Sequence, residues 1–147
     1  MAAGERAGTD ELRNPFTGQT IRFVSETPEL LVMESTYAAG GAPAPAHLHP
    51  AQDERFVVLD GAVRTSVDGE ARTLREGDEL EIPAGTAHEF GGHPDQAGTV
   101  RWEIRPALRT REFFERLHAA LRAAADGTPE EGAAFDVADY ADVFRVA

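Results

Sequence analysis

Three of the five histidines fall in two short segments whose spacing suits metal chemistry. In the first, Gly41 is followed after five residues by His47. His49 comes one residue further on, Glu54 after four more and Gly61 after another six. In the second, Gly77 is followed by Pro83, Gly85 and His88. Residues two apart on a strand point to the same face, so His47 and His49 can present both imidazoles to one point. Glu54 lies five positions past His49, an odd spacing that a straight strand sends to the opposite face. The chain must therefore bend between Pro50 and Asp53 to return the carboxylate. His88 arrives from a separate strand, just after the tight Pro83-Ala84-Gly85 turn. Imidazole suits Zn, Cu, Fe and Ni, and a carboxylate extends the range to Mn, so the cofactor expected is one divalent transition metal. Four protein ligands in an octahedral field leave two positions for substrate, water or O₂. That is a catalytic type of site, because structural zinc sites are closed and usually include Cys.

The elements that must position these residues are short strands. Ile21 to Ser25, Leu30 to Tyr37, Phe56 to Leu59, Ala62 to Val67, Leu80 to Ile82 and Val100 to Ile104 read as strands. Turn signals at Thr27-Pro28, Asp60-Gly61, Asp68-Gly69, Pro83 and Pro106 separate them. This spacing predicts an all-β sandwich or barrel. After Pro106 the period changes. Phe113, Phe114, Leu117, Leu121 and Ala124 recur at helical spacing, with Thr110 placed as the cap and Asp126-Gly127 as the stop. A weaker helical pattern runs through Val137, Tyr140, Ala141 and Phe144. These helices are expected to pack outside the β body. The division expected is a disordered tail over residues 1–10, a barrel over 11–109 and a helical extension over 110–147.

Alternation places side chains on the inner face. Phe56 and Val58 share the face of Glu54, and Phe90 shares that of His88. Trp102 and Ile104 point inward, while Arg101, Glu103 and Arg105 face solvent, the helix or another subunit. Met33 and Tyr37 are the inward residues of the earlier strand. Met33, Tyr37, Phe56, Phe90 and Trp102 are thus either ordinary core or the candidate substrate pocket. A largely apolar cavity suits a hydrophobic or aromatic small molecule better than a phosphorylated sugar. Gln52 lies in the bend, either hydrogen-bonded to a ligand or as an ordinary loop residue. His93 and His118 are expected at the surface.

Composition narrows the classes. The 147 residues suffice for one domain with an ordinary core. There is no Cys, which removes disulfides, thiolate sites and a cysteine nucleophile and suits a reducing cytoplasm. All 14 basic residues are Arg, so Schiff-base chemistry on lysine is excluded. A net charge of −12 disfavours nucleic acid and anionic lipid as partners. No secretory leader or membrane span is read in the sequence.

The two segments resemble the paired motifs of the cupin superfamily. Gly41, His47, His49, Glu54 and Gly61 match every fixed place of its first motif. Gly77, Pro83, Gly85 and His88 match the second, whose final Asn is replaced by Gly92. Chance agreement at these nine positions is below about one in 10⁹. The resemblance implies an antiparallel β-barrel of jelly-roll type with a metal in its mouth, held by His47, His49, Glu54 and His88.

The function implied first is an oxygenase resembling the quercetinase-like single-domain cupins, binding Fe, Mn, Ni or Cu. Glu54 then also serves as a catalytic base by leaving the metal. A redox-neutral cyclase, isomerase or lyase with Zn as a Lewis acid is the alternative. A binding cupin without turnover is the third reading. A homodimer built on open sheet edges is implied as well.

Overall fold

The computed structural model describes residues 11–147. The tail expected over 1–10 lies outside the described residues. In order, the elements are β1 (Glu11–Arg13), β2 (Thr20–Thr27), β3 (Leu30–Tyr37), β4 (His47–Leu48), β5 (Asp53–Val67), β6 (Glu70–Arg75), β7 (Glu79–Ile82), β8 (His88–Gly92) and β9 (Gly98–Arg105). Helix α1 (Thr110–Ala125) follows, and β10 (Arg145–Val146) comes last.

Every strand pair is antiparallel, and the strands form two sheets sharing β5. One runs β1-β2-β3-β9-β5, with β7 on the same half of β5. The other runs through the far half of β5 to β6 and to β8, β4 and β10. This is the jelly-roll barrel expected. Its interior is filled by alternating inward residues such as Leu31, Met33, Phe56, Val63 and Ile104, all buried.

The continuity of β5 corrects the turn expected at Asp60-Gly61. The dipeptide lies inside a 15-residue strand. The ladder to β9 shifts register between Val58 and Asp60. Before the shift the even-numbered Glu54, Phe56 and Val58 are buried; after it Ala62, Val63 and Thr65 are. The shift carries the strand from one sheet to the other. Gly61 has φ +69, and a Cβ there would lie 1.9 Å from the Ala97 carbonyl oxygen, so only glycine fits. Asp68-Gly69, with both φ positive, does turn the chain from β5 into β6.

Three further expectations change. Thr110 does not cap α1: Arg109 stands at the cap with no side-chain cap bond. Thr110 Oγ1 instead accepts from Gln52 Nε2 at 2.7 Å. His118 is buried, not at the surface, and donates from Nδ1 to the Phe114 carbonyl at 2.8 Å. The pattern around Val137 folds as a single 3₁₀ turn (Val137–Tyr140), capped by Asp136 accepting from the Ala138 amide. The chain then extends into β10. His93 is half-buried and accepts from the Asp95 amide. No helix among the described residues is long and apolar enough to cross a membrane.

On the outer sheet face Arg101, Glu103 and Arg105 are disposed as expected, with one difference. Glu103 is only 6% exposed, covered by Arg101 at 2.8 Å, Arg105 at 3.0 Å and Arg55 at 3.7 Å. A carboxylate with three guanidinium neighbours can be buried because its charge is met on several sides.

Candidate functional site

The three motif histidines converge. One ring nitrogen from each of His47, His49 and His88 lies within 4.8 Å of the others, and all three residues are buried. His47 on β4 sits directly across from His88 on β8. The bend expected between Pro50 and Asp53 is present, and the Pro83–Gly85 turn is tied to it. The Gly85 amide donates to the His49 carbonyl at 2.9 Å, and the Ala84 amide donates to Asp53 Oδ1 at 2.9 Å. With the bend held in this way, Glu54, the second residue of β5, lies on the inner face.

Each ring is fixed by its Nδ1, which meets a backbone carbonyl: Pro45 for His47 at 2.8 Å, Val143 for His49 at 2.6 Å and Thr86 for His88 at 2.9 Å. A carbonyl can only accept, so each Nδ1 carries the hydrogen, and in the neutral ring each Nε2 presents its lone pair. Glu54 Oε1 lies 2.9 Å from His88 Nε2 and 3.2 Å from His49 Nε2. These are ion-pair distances without hydrogen-bond alignment. Glu54 Oε1 and His49 Nε2 both remain buried and unpartnered.

That arrangement fits a cation. Lone pairs facing one another at these distances repel unless a positive charge lies between them. Ligands at right angles around an ion with bonds of about 2.1 Å sit ~3.0 Å apart. Burial pushes the Glu54 carboxyl up, but the facing His49 and His88 outweigh it and hold Glu54 below the usual carboxylate range. Burial drives His47 down to about 4, which keeps it neutral and able to ligate. His49 is raised: burial lowers it, and the Glu54 carboxylate more than offsets that.

Residues 33–102 match the family model for the cupin domain, and all four candidate ligands lie inside that stretch. The chain carries a cupin domain. Quercetin 2,3-dioxygenase of Bacillus subtilis (strain 168) is 44% identical over 46 residues, which cover 31% of this chain and 14% of the dioxygenase. The probable oxidoreductase patJ of Penicillium expansum is 42% identical over 52 residues, 35% of this chain and 16% of patJ. Each match spans less than a fifth of the relative's own length.

Solved cupin-type structures agree in fold. KdgF from Halomonas sp. is 24% identical with a TM-score of 0.60, covering 68% of this chain and 91% of KdgF. An RmlC-like cupin from Shewanella frigidimarina NCIMB 400 is 19% identical with a TM-score of 0.62, covering 76% and 96%. At these identities the likeness concerns the fold.

The five pocket candidates all point into the cupin barrel and are buried. The rings of Tyr37 and Phe90 are 5.2 Å apart, those of Phe90 and Phe56 4.3 Å, and those of Phe56 and Trp102 5.5 Å. Trp102 also donates from Nε1 to Glu54 Oε2 at 2.7 Å. Gln52 bonds no histidine or carboxylate of the site. Its amide donates to the Pro106 and Ala107 carbonyls and to Thr110, tying the metal loop to the start of α1.

Two residues of the site had no signal in the sequence. Phe144 stacks on His47 with centroids 4.6 Å apart, and Val143 supplies the carbonyl for His49 from 94 positions away. The helical periodicity around Tyr140 concealed both, because it implied a continuous helix where the Val143 and Phe144 amides close a turn on the Tyr140 carbonyl and the chain passes into β10.

Proposed function

We propose that this cupin is a metal-dependent enzyme acting on a small organic molecule, and that its reaction is an oxygenation. The observation carrying the reading is the set of three buried imidazoles with their Nδ1 atoms tied off, two of which, His49 and His88, face the unpartnered Oε1 of Glu54. Oxygenation is favoured over redox-neutral chemistry by the partial relatives, one named a dioxygenase and the other a probable oxidoreductase.

A first-row ion held by His47, His49, Glu54 and His88 supplies Lewis acidity and, for Fe, Mn, Ni or Cu, a redox couple. The chain supplies the rest. Backbone carbonyls orient the imidazoles, and Trp102 holds Oε2 of Glu54 while Oε1 faces the site. In this reading Oε1 is the atom that accepts a proton from substrate. Met33, Tyr37, Phe56, Phe90 and Trp102 make the surroundings apolar, which excludes water and favours a hydrophobic or aromatic molecule.

The reading extends to a cytoplasmic homodimer, in keeping with the absence of Cys and with sheet edges that need covering. Light scattering of the purified protein tests the dimer.

The deciding experiment is elemental analysis of protein purified without chelators or a nickel column. About one Fe, Mn, Ni or Cu per chain, with O₂ uptake on aromatic substrates, supports the oxygenase. Zinc, with turnover but no O₂ consumption, replaces it by a cyclase, isomerase or lyase. Substrate recovered unchanged from a tight complex makes the protein a binding cupin. Refusal of added metal overturns the reading altogether.

A further inference from the structure

The cupin match ends at Trp102, yet the chain beyond it returns to the metal site. After the 3₁₀ turn, Val143 is buried and its carbonyl accepts the Nδ1 hydrogen of His49 at 2.6 Å. Phe144 lies against His47 with an interplanar angle of 19° and meets His49 edge-on, centroids 6.0 Å apart. β10 pairs with β4, the strand bearing His47, and the Ala147 amide donates to the Ala46 carbonyl at 2.8 Å. Phe113 of α1 stacks behind Phe144 at 4.9 Å. An exposed latch secures the same segment. Arg109 pairs with Asp142 and donates to the Asp139 carbonyl at 2.8 Å.

We propose that Val143 and Phe144 are positioning residues of the metal centre, so that metal binding and docking of residues 141–147 stabilise one another. The inference rests on the metal-binding reading above. The carbonyl on Nδ1–H sets the tautomer of His49 and makes its Nε2 a better donor to a metal. A cation on Nε2 in turn polarises Nδ1–H and strengthens its bond to Val143. Coupling between two equilibria is reciprocal. Whatever metal binding adds to docking of the segment, docking adds to metal binding. Phe144 contributes by fixing the plane of His47, and it also covers one side of the site.

The test uses the whole chain and Zn²⁺ alone, with no substrate. Hydrogen exchange of the 137–147 peptide is followed with and without Zn²⁺, and Zn²⁺ affinity is measured by competition with a chromophoric chelator. Zn²⁺ is expected to slow exchange in this peptide about tenfold, and Phe144→Ala to weaken Zn²⁺ binding about tenfold. Phe144→Leu, which keeps apolar bulk but loses the stacked ring, is expected between the two. Asp142→Ala removes the ion pair of the latch without touching the centre and is expected to weaken binding about threefold. It serves as the test if circular dichroism shows that Phe144→Ala fails to fold.

Wild-type protein that binds Zn²⁺, with unchanged exchange and equal affinities in the folded variants, overturns the inference alone. Wild-type protein that binds no Zn²⁺ overturns the metal reading and this inference with it.

Discussion

Trp102, the one tryptophan of the chain, donates from its indole nitrogen to Oε2 of Glu54 at 2.7 Å. The bond divides the carboxylate between two tasks. Oε2 is engaged within the barrel interior, and Oε1 is left facing His88 and His49. It also links the ligand set to α1, because the Trp102 and Phe114 rings lie 5.2 Å apart.

Trp102→Phe keeps an aromatic ring against Phe56 and Phe114 but removes the N–H. Metal affinity is expected to fall about 10- to 100-fold, as for other groups that orient a ligand. Urea unfolding of the metal-free variant should show a loss of about 1–3 kcal/mol from the unpartnered oxygen. Equal metal affinity in variant and wild type would remove Trp102 from the positioning role.

His88→Ala removes one of the imidazoles that converge with His47 and His49. Bound metal should drop from about one per chain to a small fraction, with the strand signal in circular dichroism retained. In the wild type, metal at about 100 times its Kd should stabilise the fold by ~2.7 kcal/mol, a gain that a chelator abolishes. A variant that still holds a full equivalent of metal would show that His88 is not a ligand.

Protons compete with the metal for Nε2. His47, pushed down to about 4, has already lost its proton at neutral pH. His49 is raised above its ordinary value by the Glu54 carboxylate, so it holds a proton to higher pH than a free imidazole, and metal competes with that proton. Affinity should therefore weaken as pH falls below His49's pKa, by about tenfold per pH unit for a single displaced proton. Calorimetry in two buffers of different ionisation enthalpy counts that proton. An affinity constant between about pH 5.5 and 7.5 contradicts the assignment of the proton to His49.

Gly92 stands where the cupin motif has Asn. A Cβ at this position would lie 2.1 Å from the Ala38 carbonyl oxygen and 3.1 Å from the Gly41 nitrogen. Restoring the motif with Gly92→Asn should therefore destabilise the fold, by about 1–3 kcal/mol in urea unfolding. An unchanged midpoint would mean that the backbone at Ala38 gives way at little cost.

Much of the centre was legible in the sequence because its information is local. A two-residue spacing on a strand and a turn ending in Gly85 place ligands wherever the strands go. β3 appears as read, from Leu30 to Tyr37; Leu31, Met33, Ser35 and Tyr37 are buried on one face, and Val32 is buried besides. Asp60-Gly61 misled, since the same dipeptide serves a hairpin turn or a bend inside a strand. Only the pairing of β5 with both sheets distinguishes the two.

What tertiary structure alone decided lies in contacts between distant segments. Gln52 reaches Thr110 across 58 positions, and His49 reaches Val143 across 94. Periodicity reports which face of an element is apolar, but not which remote backbone carbonyl will meet a ring nitrogen. The chain by itself determined the ligand types and the barrel that brings them together. Packing of α1 and the returning strand decided how those ligands are oriented and covered, because that depends on elements meeting in space.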